Sequence, residues 1–324
     1  MTKAVVLYSA GGPEVLVMED RPVGEPGAGQ IKMRHTAIGL NYAETQIRRG
    51  VRKGLPLTYP YVMGGEAAGV VTAVGEGVTG VKKGDRVCYF GNMGSYAEER
   101  LIAAEHALPI PDDISDDIAA ATLLKGLTAH YLIFRTFPVK KGHTILYHAA
   151  AGGVGLILCQ WAKHLGATVI GTVSSDAKIA LAKAHGCDHV INYAKEDFVA
   201  KVKELTGGRG VECCYDSVAK DTFEKSLQTL APFGLVSLFG SASGDVDPMS
   251  YSKIPLDRYY IHPTLPQYMG KREERLAGLK DLYDAIRKGV IKVEISQRYA
   301  LKDAAKAHAD MEGRKTTGST IITP

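Results

Sequence analysis

The sequence predicts an α/β protein in two parts, a β-rich first region and then a doubly wound parallel sheet covered by helices. Three observations carry this. The chain has 324 residues, about twice the usual length of one domain. Its first 125 or so residues read as short strands punctuated by Gly and Pro. From about residue 126 the rhythm changes to apolar strands alternating with helical patterns.

Taken in order, "KAVVLYS" (3–9), "VLVMED" (15–20) and "QIKMRHTAIG" (30–39) have strand composition, with "GGP" and "GEPGAG" as breaks. "NYAETQIRRG" (41–50) reads as one short helix. "GGEAAGVVTAVGEGV" (64–78) and "GDRVCYF" (84–90) add strands with glycine corners, which suggests a distorted barrel. In the second part the strands are "TILYHA" (144–149), "ATVIGTV" (167–173), "HVINY" (189–193), "VECCYDS" (211–217) and "GLVSLFG" (234–240). Between them lie "GLILCQWAKHLG", "DAKIALAKAHG", "EDFVAKVKELTGG" and "DTFEKSLQTL", each stopping near glycine or before a turn with Pro and Gly. Strand–helix alternation implies a parallel sheet with both faces covered. Residues 266–324 offer helix, strand, helix and a last strand, "STIIT". This tail is expected to return to the first domain. The expected division is therefore 1–125 with 266–324, and a nucleotide domain, 126–265, inserted between.

Composition excludes several classes. Hydrophobic residues make up 45% and charged residues 23%, ordinary for a soluble protein with real cores. The net charge of +4, from 39 basic and 35 acidic residues, is too mild for nucleic acid or an anionic membrane as main partner. No stretch approaches 18 apolar residues and the first residues lack a secretory pattern, so neither a membrane span nor export is expected. Cysteines at 88, 159, 187, 213 and 214 form no CxxC pair, and their odd number fits a reducing, cytoplasmic setting.

The chemistry begins at "AAAGGVG" (149–155), which follows one apolar strand and opens a helix. It reads Ala150-x-Gly152-x-x-Gly155, with alanine in place of the first glycine of the dinucleotide fingerprint. The middle glycine lets backbone approach a pyrophosphate, and the last lets helix pack on strand. The helix start supplies N–H groups and partial positive charge. The second strand ends in "TVSSDAK". Ser174 and Ser175 offer hydroxyls and Lys178 an ammonium, which suit a 2′-phosphate and so NADPH. Asp176 is the rival: it would serve the ribose of NAD, or simply favour the first turn of its helix.

"HAAAGGVGLILCQWAKHLGATVIGTV", "VINY", "YDSV" and "LKGLTAHYL" closely resemble the zinc-independent NADPH:quinone oxidoreductases, the zeta-crystallin-like branch of the medium-chain dehydrogenase/reductase superfamily. "IGLNYAETQIRRG", "GGEAAGVVTAVGEGVTGVKKGDRV", "GSYAEE" and "GVIKVEISQRYALKDAAKAHADMEGRKTTGS" extend the resemblance over essentially the whole chain. It implies a GroES-like catalytic domain, a Rossmann domain and a homodimer. It places Asn41 and Tyr42 beside the nicotinamide, and Lys125 and Thr128 along the cofactor cleft. Ser174, Lys178 and Tyr193 fall on the adenosine side, Phe239 on the nicotinamide side, and Arg314 near the nucleotide. Gly153 and Val154 of the loop, Ser217 of "YDSV" and Gly240 of "LFG" complete the expected cofactor set. Two departures stand out: Gln46 replaces a tyrosine in the expected cleft, and His262 stands where the family often has arginine.

Zinc-dependent relatives need histidine where "GGEAAG" has Gly65, and a structural zinc needs a cysteine cluster that the sequence lacks. No bound metal is therefore expected, and Glu66 reads as a structural carboxylate. Without a Lewis acid, a simple ketone is a hard hydride acceptor. A quinone needs less help, because the anion formed spreads over a conjugated ring. Positioning and exclusion of water then suffice. The expected substrate is a quinone or related conjugated carbonyl, with Asn41 and Gln46 donating to its carbonyl and Tyr42 packing on the ring or donating a proton. An enone or alkenal reductase on the same scaffold is the enzymatic alternative. An RNA-binding role, known among zeta-crystallin-like members, finds no aromatic-basic motif here. Cys213, Cys214, His148 and Asp216 read as packed or locally hydrogen-bonded groups, and "REER" (272–275) as a solvated helix face.

Overall fold

The computed structural model describes residues 1–52, 58–91 and 93–324. They divide into two units, Met1–Leu124 with Val293–Pro324, and Lys125–Lys292.

The spine of the first unit is the strand Gln30–Leu40, which pairs antiparallel with Glu66–Val74. The register shifts between Lys32 and Met33 and again between His35 and Ala37. Each bulge adds local twist, so this long strand curls rather than lying flat. Glu99–Ala103 pairs with its first half and Ser319–Thr323 with its end, where Thr320 faces Leu40. Ile295–Ala300, Arg86–Phe90 and Leu108–Pro109 complete a seven-stranded sheet, and a second sheet runs Leu16–Arg21, Thr2–Leu7, Tyr61–Val62. Leu7, Ile31, Met33, Ile38, Leu40, Met63, Tyr89 and Tyr96 are fully buried between these layers, with Ala304 and Ala307 of the helix Ala304–Glu312. The last strand thus returns to the first unit.

The second unit is a six-stranded, all-parallel sheet. Across it run His189–Asn192, Thr168–Val173, Thr144–Tyr147, Val211–Asp216, Leu230–Leu238 and Tyr259–Ile261. Counted along the chain, that order is 3-2-1-4-5-6, and it reverses between Thr144–Tyr147 and Val211–Asp216. Ligands of doubly wound sheets bind beyond the carboxyl ends of the strands at such a reversal. Leu146, Ile170, Ile191, Val211, Cys214 and Val236 form the core with Phe198 and Val202 of helix Phe198–Leu205 and Phe223 and Leu227 of helix Phe223–Gln228.

Three features differ from the sequence reading. The edge strand Tyr259–Ile261 was too short to stand out. The helix Asp116–Tyr131 was not anticipated, although Ser115 Oγ caps it by accepting from the Ile118 N–H at 3.2 Å, and Asp116 and Asp117 fill its first turn. The return to the first unit comes at 292/293, not at 265/266. Helix Arg272–Arg287 belongs to the second unit instead. Its Leu282 occupies the space beside Gly126, where a Cβ would lie 2.4 Å from Leu282 Cδ2, and its Asp281 pairs with His130 Nε2 at 3.0 Å.

Candidate active site

The glycine loop sits at the sheet's reversal point. Ala149 takes a left-handed backbone, φ 62°, and its carbonyl accepts from the Gly152 N–H at 2.9 Å. The tight turn is thus made one residue before the expected position. Ala150 is fully buried, and its methyl fits because the neighbouring strand carries Gly171, where a Cβ would lie 2.7 Å from Ala150 Cβ. Helix Gly153–His164 starts with Gly152 as its N-cap, without a side-chain cap. Its first N–H groups, at Gly153 and Val154, are the donors an anion needs. Gly155 is sterically fixed: a Cβ there would lie 2.7 Å from the carbonyl oxygens of both Ala149 and Ala150. At Gly152 the same test gives 3.2 Å to Ala149 O. This cradle is the observation by which a dinucleotide fits the chain.

Ser174, Lys178 and Tyr193 gather at the carboxyl ends of the next two strands. Lys178 ends the short turn Asp176–Lys178, whose N-cap is Ser175, and the Tyr193 N–H donates to Val173 O at 3.2 Å. Asp176 is already engaged, accepting from Asn192 Nδ2 at 2.7 Å and from Lys195 Nζ at 2.5 Å. Lys195 and Asn192 hold its carboxyl below the usual range. That geometry favours the structural role of Asp176 over ribose binding.

The two loops flanking the reversal point are tied together from beneath by buried polar groups. His148 Nδ1 lies 2.9 Å from Thr172 Oγ1 and its Nε2 lies 3.0 Å from Ser226 Oγ. Ser226 Oγ donates to Asp216 Oδ2 at 2.8 Å, so His148 donates from Nε2 and accepts at Nδ1. Burial lowers the His148 pKa, against the pull of Asp216, which keeps the ring neutral. Asp216 also accepts from the Val218 and Ala219 N–H groups at 2.9 and 3.1 Å and from Thr222 Oγ1 at 2.8 Å. Ser217 follows directly, and its carbonyl accepts from the Ala242 N–H at 3.1 Å. Gly240 closes on it so tightly that a Cβ would lie 2.8 Å from Ser217 O. Phe239 packs near Tyr147, with ring centroids 6.0 Å apart. Lys125 and Thr128 lie about one turn apart on helix Asp116–Tyr131, and both are buried.

In the first unit, Asn41 is the N-cap of helix Tyr42–Arg48. Its backbone N–H donates to Glu44 Oε2 at 2.6 Å. Its side-chain Nδ2 donates to Glu66 Oε1 at 2.8 Å and to Glu44 Oε1 at 3.3 Å. Both amide hydrogens are therefore committed to buried carboxylates. Glu66 Oε2 accepts from the Leu124 N–H at 2.8 Å. Glu44 is legible in the sequence as the fourth member of the cap-and-acid spacing Asn41-x-x-Glu44. Tyr42 and Gln46 share a helix face, four residues apart. Tyr42 is half-buried, and burial raises its pKa, while Arg49 lowers it, Glu312 raises it and Arg314 lowers it. Gln46 is buried and its Oε1 accepts from Arg52 Nη1 at 3.2 Å.

Zinc does not fit these residues. A Cβ at Gly65 would lie 2.8 Å from Glu44 Oε1, and the Gly65 N–H donates to that same oxygen at 3.1 Å. Among the described residues no group of three or more His, Cys, Asp and Glu side chains could hold a metal.

A barrel-like β unit carrying this cluster, followed by a doubly wound sheet with a phosphate cradle at its reversal, defines a medium-chain dehydrogenase/reductase. Residues 27–112 match the alcohol dehydrogenase GroES-like domain, and residues 153–265 match the domain described as zinc-binding dehydrogenase. Quinone oxidoreductase of Pseudomonas aeruginosa is 45% identical over 327 residues, covering all of both chains. The 2-haloacrylate reductase of a Burkholderia species is 44% identical over 331 residues, covering 100% of this chain and 99% of that one. The crystal structure of Escherichia coli quinone oxidoreductase complexed with NADPH superposes with a TM-score of 0.96 at 42% identity, covering 99% of this chain and 100% of that chain. The chain belongs to the quinone oxidoreductase family within that class.

Proposed function

We propose that this chain is an NADPH-dependent, zinc-independent oxidoreductase that reduces quinones. The observation that carries the reading is the cradle at Ala150–Gly155, built so that only glycine fits at 155, in a chain 45% identical over its whole length to a quinone oxidoreductase. The loop N–H groups and helix start would hold the pyrophosphate. Ser174 and Lys178 would hold the 2′-phosphate, with Tyr193 beside the adenosine. Asp176, engaged by Lys195 and Asn192, leaves that phosphate unopposed by a ribose-binding carboxylate. Arg314 would approach the nucleotide. Ser217, Phe239, Gly240, Lys125 and Thr128 would shape the nicotinamide end. When bound, NADPH supplies the hydride.

The chain's own residues then position and desolvate. Asn41 locks Glu44 and Glu66 and so fixes the start of helix Tyr42–Arg48. Tyr42 packs along the acceptor ring. Gln46, whose Oε1 accepts from Arg52, would join Asn41 in donating to the acceptor carbonyl. Burial raises the Tyr42 pKa, so its hydroxyl stays protonated and can hydrogen-bond the reduced ring, while the same shift makes it a weaker proton donor. Water supplies the proton where Tyr42 does not.

A second reading is favoured by the 44% identity to 2-haloacrylate reductase: hydride addition to an activated alkene. Comparing NADPH oxidation with 1,4-benzoquinone and with a 2-alkenal separates the two. Turnover of the alkenal alone would overturn the quinone assignment.

The same proposal includes a homodimer. The edge strand Tyr259–Ile261 leaves Tyr259 and Tyr260 more than half exposed, at 56% and 59%, beside Phe233 and Leu256. An exposed aromatic edge is a template for pairing with a second copy. A monomer in sedimentation at micromolar concentration would contradict it. A small-molecule acceptor and a reducing, cytoplasmic setting complete the reading. The sequence's five cysteines, all free and buried, support that setting.

A further inference from the structure

The segment that carries Tyr42 and Gln46 is unusually rich in guanidinium groups. Arg48, Arg49 and Arg52 follow one another within five residues. One carboxylate answers the first two: Glu312 lies 2.7 Å from Arg48 Nη2 and 3.9 Å from Arg49 Nη1. Arg48 is almost wholly buried, and its Nε and Nη1 have no hydrogen-bond partner among the described residues. Arg52 is exposed, makes no ion pair among the described residues, and donates to the neutral Gln46 amide at 3.2 Å. Arg49 and Arg314 lower the Tyr42 pKa, and Glu312 raises it. The opposing carboxylates, Glu44 and Glu66, are tied to Asn41, Gly65 and Leu124 at the other end of the helix.

We propose that the acceptor site selects quinones carrying an anionic substituent, a carboxylate or a sulfonate, and that Arg52, braced on Gln46, is the residue that reads it. The inference rests on the quinone reading and names the acceptor class of that same site. On that reading Tyr42 and Gln46 line the ring, and Arg52, 3.2 Å from Gln46 Oε1, adds beside them a charged, forked donor suited to planar or tripodal oxyanions. The substituent takes no part in the chemistry. The ring gains a hydride from NADPH and a proton from Tyr42 or water, giving the hydroquinone and NADP⁺, while the anionic group stays intact.

The test measures kcat/KM with NADPH for 1,2-naphthoquinone-4-sulfonate and for 1,2-naphthoquinone, in the natural protein and in Arg52→Gln and Arg52→Lys. The neutral quinone is the internal reference, so general damage cancels in the ratio. The sulfonate-to-neutral ratio should fall about tenfold in Arg52→Gln, as for one lost charge-assisted hydrogen bond, and less in Arg52→Lys. High salt should shrink the ratio in the natural protein, because Arg52 is exposed to screening. A ratio unchanged within twofold in Arg52→Gln would overturn the inference and leave the quinone reading standing. No turnover of either quinone would overturn that reading, and this inference with it.

Discussion

Asn41 Nδ2 lies 2.8 Å from Glu66 Oε1, which joins the start of helix Tyr42–Arg48 to the strand Glu66–Val74 through a buried amide–carboxylate contact. Glu66 Oε2 takes the Leu124 N–H, so one carboxylate also anchors the helix Asp116–Tyr131. Gly39 makes room for it: a Cβ there would lie 2.3 Å from Glu66 Oε1.

Glu66→Ala should therefore do two things. It removes the acceptor that Glu66 offers to the Asn41 amide and to the Leu124 N–H, which costs about 3 kcal/mol. It also loosens the helix that carries Tyr42 and Gln46, so kcat should fall while NADPH affinity changes little. Urea unfolding and steady-state kinetics check both. Glu66→Gln keeps one acceptor oxygen and should lie between.

Gly155→Ala should abolish coenzyme binding more thoroughly than Gly152→Ala. At 155 the added Cβ meets two backbone carbonyls at 2.7 Å, which cannot yield without moving the loop. At 152 the one close atom is 3.2 Å away. Calorimetric titration with NADPH should rank natural protein, Gly152→Ala, Gly155→Ala in falling affinity. Equal affinity at Gly155→Ala and in the natural protein would remove the loop from the coenzyme site.

On the proposed reading, in which Lys178 holds the 2′-phosphate, Lys178→Ala should weaken NADPH by about 1.5–3 kcal/mol and NADH far less. Competitive binding of the two coenzymes measures it. Equal losses would take Lys178 out of the phosphate pocket.

Two buried histidines give the fold a pH dependence. Burial holds His35 down to about 4 and His308 down to about 3. Tyr89 Oη lies 3.0 Å from His35 Nε2 and the Ala97 carbonyl lies 2.7 Å from its Nδ1, which fits a neutral ring protonated at Nδ1. Below about pH 6.5 the unfolded state binds the protons that the fold refuses, so stability is full above that pH and lost as pH falls. Each histidine should cost roughly 2 kcal/mol between pH 6.5 and 5. The urea midpoint should drop between pH 7.5 and 5, and His35→Gln should flatten the drop. A midpoint constant over that range would contradict the assignment.

Much of the fold was legible because it rests on local signals. Gly152 and Gly155 follow a strand and open a helix, and the alternation from 144 to 240 dictated the parallel sheet. Long-range pairing was less legible. Tyr259–Ile261 is a strand only because Leu235–Ser237 offers it a partner. The division at 292/293 places helix Arg272–Arg287 with the second unit, where Leu282 packs beside Gly126, a contact that no periodicity reveals. In the site, Asn41 was found by its motif, but its partners were not. Glu44 and Glu66 are 22 residues apart in sequence and meet at the Asn41 amide only in the fold. The Gln46–Arg52 contact spans six residues, yet it needs the chain to turn back after the helix, which composition does not announce.

The most direct test of the whole account mixes the purified protein with each coenzyme and 1,4-benzoquinone and follows coenzyme absorbance. NADPH should be oxidised rapidly and NADH more slowly, with no loss of rate after exhaustive treatment with a zinc chelator. Preference for NADH, or oxidation of neither coenzyme, would contradict it.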